Sequence, residues 1–84
     1  MTHYNHVTDP VVRAVLDGDI SEDAICLALT VTSAALIVDM HSTDLGIDLT
    51  VLDARRQDYE DADYAWNEEG DAAACVEALR RYWC

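Results

Sequence analysis

The chain has 84 residues, with 17 acidic side chains against five arginines and no lysine, for a formal net charge of −12. That length holds one domain, and apolar residues at 51% are too many for a disordered acidic tail. The charge argues against direct binding to DNA, RNA or an anionic membrane, because phosphate contacts require Lys and Arg.

Residues 1–8 read as a mobile polar arm. Thr8-Asp9-Pro10 then opens a helix, with Asp9 as cap and Pro10 at the first helical position. Val11, Val12, Val15 and Leu16 share a face, and Asp17-Gly18-Asp19 stops the segment, so the first helix spans 10–17. Ser21 caps the second, where Glu22 and Asp23 suit the positive end of the helix dipole. From Ala24 to Val38 there is no charge, and only Thr30, Thr32 and Ser33 interrupt the apolar run. Such a helix is either central or covered by a second copy of the chain. Thr30-Val31-Thr32 also suits a strand, which pulls against the helical reading. The run falls short of the ~20 residues that span a bilayer, so no membrane segment is expected.

Ser42-Thr43-Asp44 supplies the next cap. Leu45, Leu49, Leu52, Tyr59 and Trp66 follow at helical steps, with Arg56 and Asp63 in the same seam. Gly46 delays the regular helix to about residue 47, and Gly70 ends it. Asp71 caps a last helix in which Ala72, Cys75, Val76, Leu79 and Tyr82 lie together, with Arg80 and Arg81 near its negative end. The expected fold is all-α: one domain, 1–84, a compact bundle of about four helices around a central apolar one. Twelve of the residues are Ala, so helices can approach closely around a light core.

Few residues carry recognisable chemistry. Cys26, Cys75 and Cys84 are odd in number and lack C-x-x-C spacing, and the first ten residues lack the basic-then-apolar order of a signal peptide. A reduced, cytoplasmic protein is the simplest expectation. His3, His6 and His41 have no cysteine pair at zinc-site spacing. A calcium loop begun at Asp58 fails at Ala62 and Asp63. Ser21 and Ser42 read as caps, and Gly18, Gly46 and Gly70 are too scattered for a phosphate loop. No enzyme, metal or cofactor is expected.

The acidity is local. Residues 44–70 hold nine acids and two arginines, net −7, whereas residues 71–84 are neutral. Asp58, Asp61, Glu68 and Glu69 fall on one stripe away from the Leu/Tyr/Trp seam, with Glu60 at its edge and Asp63 within the seam. Codon bias accounts for missing Lys but not for this clustering, since mixed charges would serve solubility as well. The expected site is Asp58, Glu60, Asp61, Asp63, Tyr64, Glu68 and Glu69, meeting a basic groove of a nucleic-acid-binding protein. Carboxylates there would stand where phosphates sit, with Tyr64 as an apolar anchor. In length, charge and absence of a catalytic motif the chain resembles the small inhibitors that phages encode against host defence systems, anti-CRISPR proteins among them. That resemblance lies in composition and architecture, and it implies an inhibitor. The alternative is a structural or assembly subunit, a helical homodimer whose acidity reflects only its proteome.

Overall fold

The computed structural model describes residues 7–41 and 49–83, which form four helices: α1 Pro10–Leu16, α2 Glu22–His41, α3 Leu49–Asn67 and α4 Ala72–Trp83. No strand occurs among the described residues, and the all-α bundle expected from the sequence is the fold. The expected Ser42–Asp44 cap, Leu45 and Gly46 lie outside the described residues, as do His3, His6 and Cys84.

Local chemistry sets the boundaries. Asp9 holds an extended backbone, and its Oδ1 accepts the amides of Val11 at 2.9 Å and Val12 at 3.1 Å, two donors with no partner inside the first turn. Gly18, at φ +119°, turns the chain out of α1 through a backbone conformation that a side chain would oppose. Ser21 then takes the cap position of α2: its carbonyl accepts from Ile25, and its amide donates to Asp19 Oδ1 at 3.0 Å. Hydrogen bonds from the Ser21 amide and hydroxyl hold the Asp19 carboxyl below its ordinary range.

The Thr-Val-Thr segment is helical despite its β-branched residues. Thr30 Oγ1 donates to the Cys26 carbonyl at 3.0 Å and Thr32 Oγ1 to the Ala28 carbonyl at 2.7 Å. Both hydroxyls bond back onto their own helix, so they do not compete with its hydrogen-bond ladder for amides.

At the far end of α3, helical bonding fades after Asn67. Gly70 takes φ +63°, the Asp71 amide closes the turn on the Ala65 carbonyl, and Asp71 Oδ1 caps α4 at the Ala74 amide.

Two close helix pairs make the molecule. Helices α3 and α4 pack most extensively, α1 lies on α2, and α2 touches each of the other three. The buried cluster joins Val12, Val15 and Leu16 to Ile25, Ala28 and Leu29, and both groups to Ala62, Ala65, Cys75, Val76 and Leu79. Val7, assigned by sequence to the mobile arm, is buried in this cluster.

Longer bonds tie the pairs together. Arg80 Nε donates to the Leu16 carbonyl at the end of α1, and Trp83 Nε1 to Thr32 Oγ1, each at 3.0 Å. Arg55 on α3 pairs with Asp39 on α2 at 3.1 Å.

The molecule measures 37 × 30 × 17 Å. Its thin dimension holds about two helix layers, so no helix can be enclosed on every side. Only Ile25, Ala28, Leu29, Thr32 and Leu36 of α2 are buried, whereas Leu27, Ile37, Val38 and Met40 are about half exposed or more. By length and composition alone, α2 is also long and apolar enough to cross a bilayer.

The register of α3 corrects the sequence reading. Its buried residues are Ala62 and Ala65, with Tyr59 and Trp66 packed partly against the core. Leu49, expected in the seam, is 68% exposed. The inward face is therefore rotated from the Leu/Tyr/Trp seam towards the alanines. An alanine lets α4 approach closely, and that contact outweighs burying Leu49 at the helix end.

Candidate functional site

The seven acidic-face candidates do not form one surface. Asp58, expected in the wet stripe, points towards α4, where its side chain is 22% exposed and Oδ1 accepts from Arg81 Nε at 3.2 Å. The cause is the register of α3, which turns residue 58 inward with Ala62 and Ala65. Asp61 is nearer to solvent. Its Oδ2 lies 3.7 Å from the same guanidinium, and its Oδ1 accepts from Gln57 at 3.0 Å. Arg81 thus supplies the neutralising charge that the linear sequence lacks between Arg56 and Arg80.

Asp63 lies on another side. It lines the groove between α2 and α3 with Cys26, Thr30, Tyr59 and Trp66, and Asn67 Nδ2 donates to its Oδ1 at 2.7 Å. It belongs to neither the wet stripe nor the closed core.

Glu60, Tyr64 and Glu68 recur at four-residue steps on the outer side of α3 and its terminal turn. All three are exposed, Tyr64 at 60%, and the Glu68 amide still bonds to the Tyr64 carbonyl. Glu68 and Glu69 sit in the turn after Asn67, not on regular helix as the sequence spacing assumed. Among the described residues, no arginine pairs with Glu60, Glu68 or Glu69.

Beside this row, Asp61, Tyr64, Ala65 and Glu69 line one wall of a shallow depression of about 430 Å³; Ala74, Glu77, Ala78 and Arg81 of α4 line the other. Glu77 and Arg81 were missed by the sequence reading. Glu77 lies opposite the buried positions of α4, a signal the sequence carried. The placement of Arg81 had none, since it depends on a pairing 23 residues away.

Chemically, the face is a set of carboxylate acceptors around one phenol and one guanidinium. It can receive Arg or Lys side chains in solvent, where each exposed pair contributes about 0.2–1 kcal/mol and salt weakens it. Among the described residues, no three His, Cys, Asp or Glu side chains are grouped to hold a metal ion. The chain matches no family model, curated protein or solved structure.

Proposed function

We propose that the chain is a small acidic binding protein that inhibits a nucleic-acid-binding protein or complex by covering its basic surface. The observation that carries this reading is the row Glu60, Tyr64, Glu68 with adjacent Glu69: three carboxylates without an arginine partner among the described residues, around a phenol 60% exposed. Carboxylates about two turns apart, at Glu60 and at Glu68 with Glu69, present acceptors to cations that otherwise hold phosphates, and the net charge of −12 steers the encounter. Tyr64 adds apolar area at the centre, where binding energy concentrates.

Asp61 joins the row at its edge and shares Arg81 with Asp58. A partner's cation must displace that guanidinium to reach Asp61, so Asp61 contributes less than the three glutamates. Asp63 stands outside the contact. The resemblance in size and charge to phage anti-defence inhibitors supplies the proposed setting, an anti-CRISPR-like role in the cytoplasm.

Capture of basic proteins from a bacterial extract by the immobilised chain, then displacement with duplex DNA, tests the reading. The partner should be a nucleic-acid-binding protein that elutes with DNA or raised salt. Glu60→Lys/Glu68→Lys/Glu69→Lys should abolish retention, whereas Asp63→Asn should not. Retention that survives the triple reversal, or a partner that DNA does not displace, would overturn it.

A further inference from the structure

We propose that the open flank of α2 is a self-association surface, on which a second copy packs antiparallel about a two-fold axis at the level of residue 32. At about 100° per residue, Asp23, Leu27, Thr30, Ala34, Ile37 and His41 run along one flank of α2. All six are exposed, while Ile25, Ala28, Leu29, Thr32 and Leu36 are buried on the other side. Leu27 and Ile37 are each 52% exposed.

Charge identifies the occupant. Two copies carrying −12 each repel wherever carboxylates face one another, and residues 24–38 are the longest stretch of the chain with no ionisable acid or base apart from one thiol. The nearest carboxylate, Asp63 across the groove that Thr30, Ala34 and Ile37 line, is half-buried and accepts from Asn67 Nδ2. A second copy finds a helix flank with no charge of its own between Asp23 and His41, and the antiparallel arrangement orders it. Leu27 meets Ile37 of the second copy, Thr30 meets Ala34, and Asp23 comes level with His41, whose ring N–H can donate to the carboxylate. Each contact occurs twice, as a two-fold interface requires. A parallel pairing would instead set Glu22 and Asp23 against their own copies. Thr30 and Ala34, the small residues, stand nearest the axis and permit close approach of the two backbones. The surface is separate from the Glu60/Tyr64/Glu68 row, so self-association and binding of a basic partner are independent.

Sedimentation equilibrium of the full chain, with Ala34→Glu and exposed Ala73→Glu compared by far-UV circular dichroism for folding, tests the proposal. Wild type and Ala73→Glu should sediment at twice the 9.3 kDa chain mass. Ala34→Glu should keep its helical spectrum and weaken self-association by about 100-fold, the cost of an unpaired charge at a closed interface. With Cys26 and Cys84 replaced by serine, a mixture of Thr30→Cys and Ala34→Cys chains should oxidise to the mixed disulfide faster than either chain alone. A monomeric wild type overturns the proposal, and if that monomer floats with phosphatidylcholine vesicles the flank serves a lipid surface instead. A dimer that Ala34→Glu leaves intact also overturns it. Glu60→Lys/Glu68→Lys/Glu69→Lys should leave the dimer unchanged, which separates this result from the fate of the acidic face.

Discussion

Replacing Ala62 with Leu probes the contact that sets the register of α3. Ala62 has 0% exposure, and Ala65 beside it has 4%. They face the helix bearing Cys75, Ala78 and Leu79, the most extensive helix pair in the molecule. A leucine adds three carbons. Burying them would be worth about 0.8 kcal/mol per carbon if space existed, but a closed wall of side chains and backbone leaves none. The added volume must push α3 away from α4, a strain of about 1–3 kcal/mol. For 84 residues the whole stability is about 4–13 kcal/mol, so the loss is a large share. Melting should drop by about 4–8 °C for each kcal/mol lost. Urea and thermal unfolding followed by far-UV circular dichroism would measure it, with Ala54→Leu on the exposed side of α3 as the control that stays near wild type. If Ala62→Leu is as stable as wild type, the alanine-centred register is wrong and the Leu/Tyr/Trp seam is restored.

Three further outcomes are expected. Thr32→Val keeps the side-chain shape but removes the hydroxyl that accepts from Trp83 and donates to Ala28, at a cost of about 1–2 kcal/mol. Trp83→Phe should then cost less in the Thr32→Val background than in wild type, and strictly additive losses in urea unfolding would refute the bridge. Asp9→Ala should cost about 1 kcal/mol in the same assay by freeing the Val11 and Val12 amides; an unchanged midpoint would deny the cap any role. Stability should also fall in alkali. Burial pushes the Cys75 thiol up to about 11, with Asp63 and Cys26 adding to it, and burial pushes the Tyr82 phenol up to about 12, with Asp39 raising and Arg55 lowering it. Both folded values exceed the ordinary 9.0 and 10.0, so the unfolded chain releases these protons first. The stabilisation is whole below about pH 9 and is lost as pH climbs through 11 and 12; a flat urea midpoint across that range would contradict the assignment.

The helices were legible because their punctuation is chemical and local. Asp9-Pro10 and the Asp71 cap each act within four residues, and the structure uses both as the sequence implies; Gly70 turns the chain, but regular helix stops three residues before it, at Asn67. The apolar character of α2 was equally plain, but the sequence placed it at the centre or against a second copy, whereas in the fold one side is buried and the other is open. What stayed hidden was the rotation of α3. Large side chains dominate a periodicity reading, whereas the helix turns its alanines inward because close approach to α4 requires small ones. That one rotation explains why Asp58 left the wet stripe and met Arg81. The row Glu60, Tyr64, Glu68 was visible as spacing; its freedom from arginine was not, because Arg81 could have reached any of these carboxylates.

The pairing of α1 with α2 and of α3 with α4 also sets the order in which the molecule should come apart. Contacts are densest between α3 and α4, whereas α1 and α2 are held together no more extensively than they are held to the other hairpin, to which Arg80 on the Leu16 carbonyl, Trp83 on Thr32 and Arg55 on Asp39 tie them. Backbone amides in the α3–α4 hairpin should therefore exchange with solvent deuterium most slowly. Those of α1 should exchange first, because a helix of seven residues cannot persist once its seat on α2 and α4 is lost. Arg80 reaches 64 residues back along the chain to close this arrangement, so the α1–α2 hairpin depends for its lifetime on a side chain that is made only after α2 and α3 are complete.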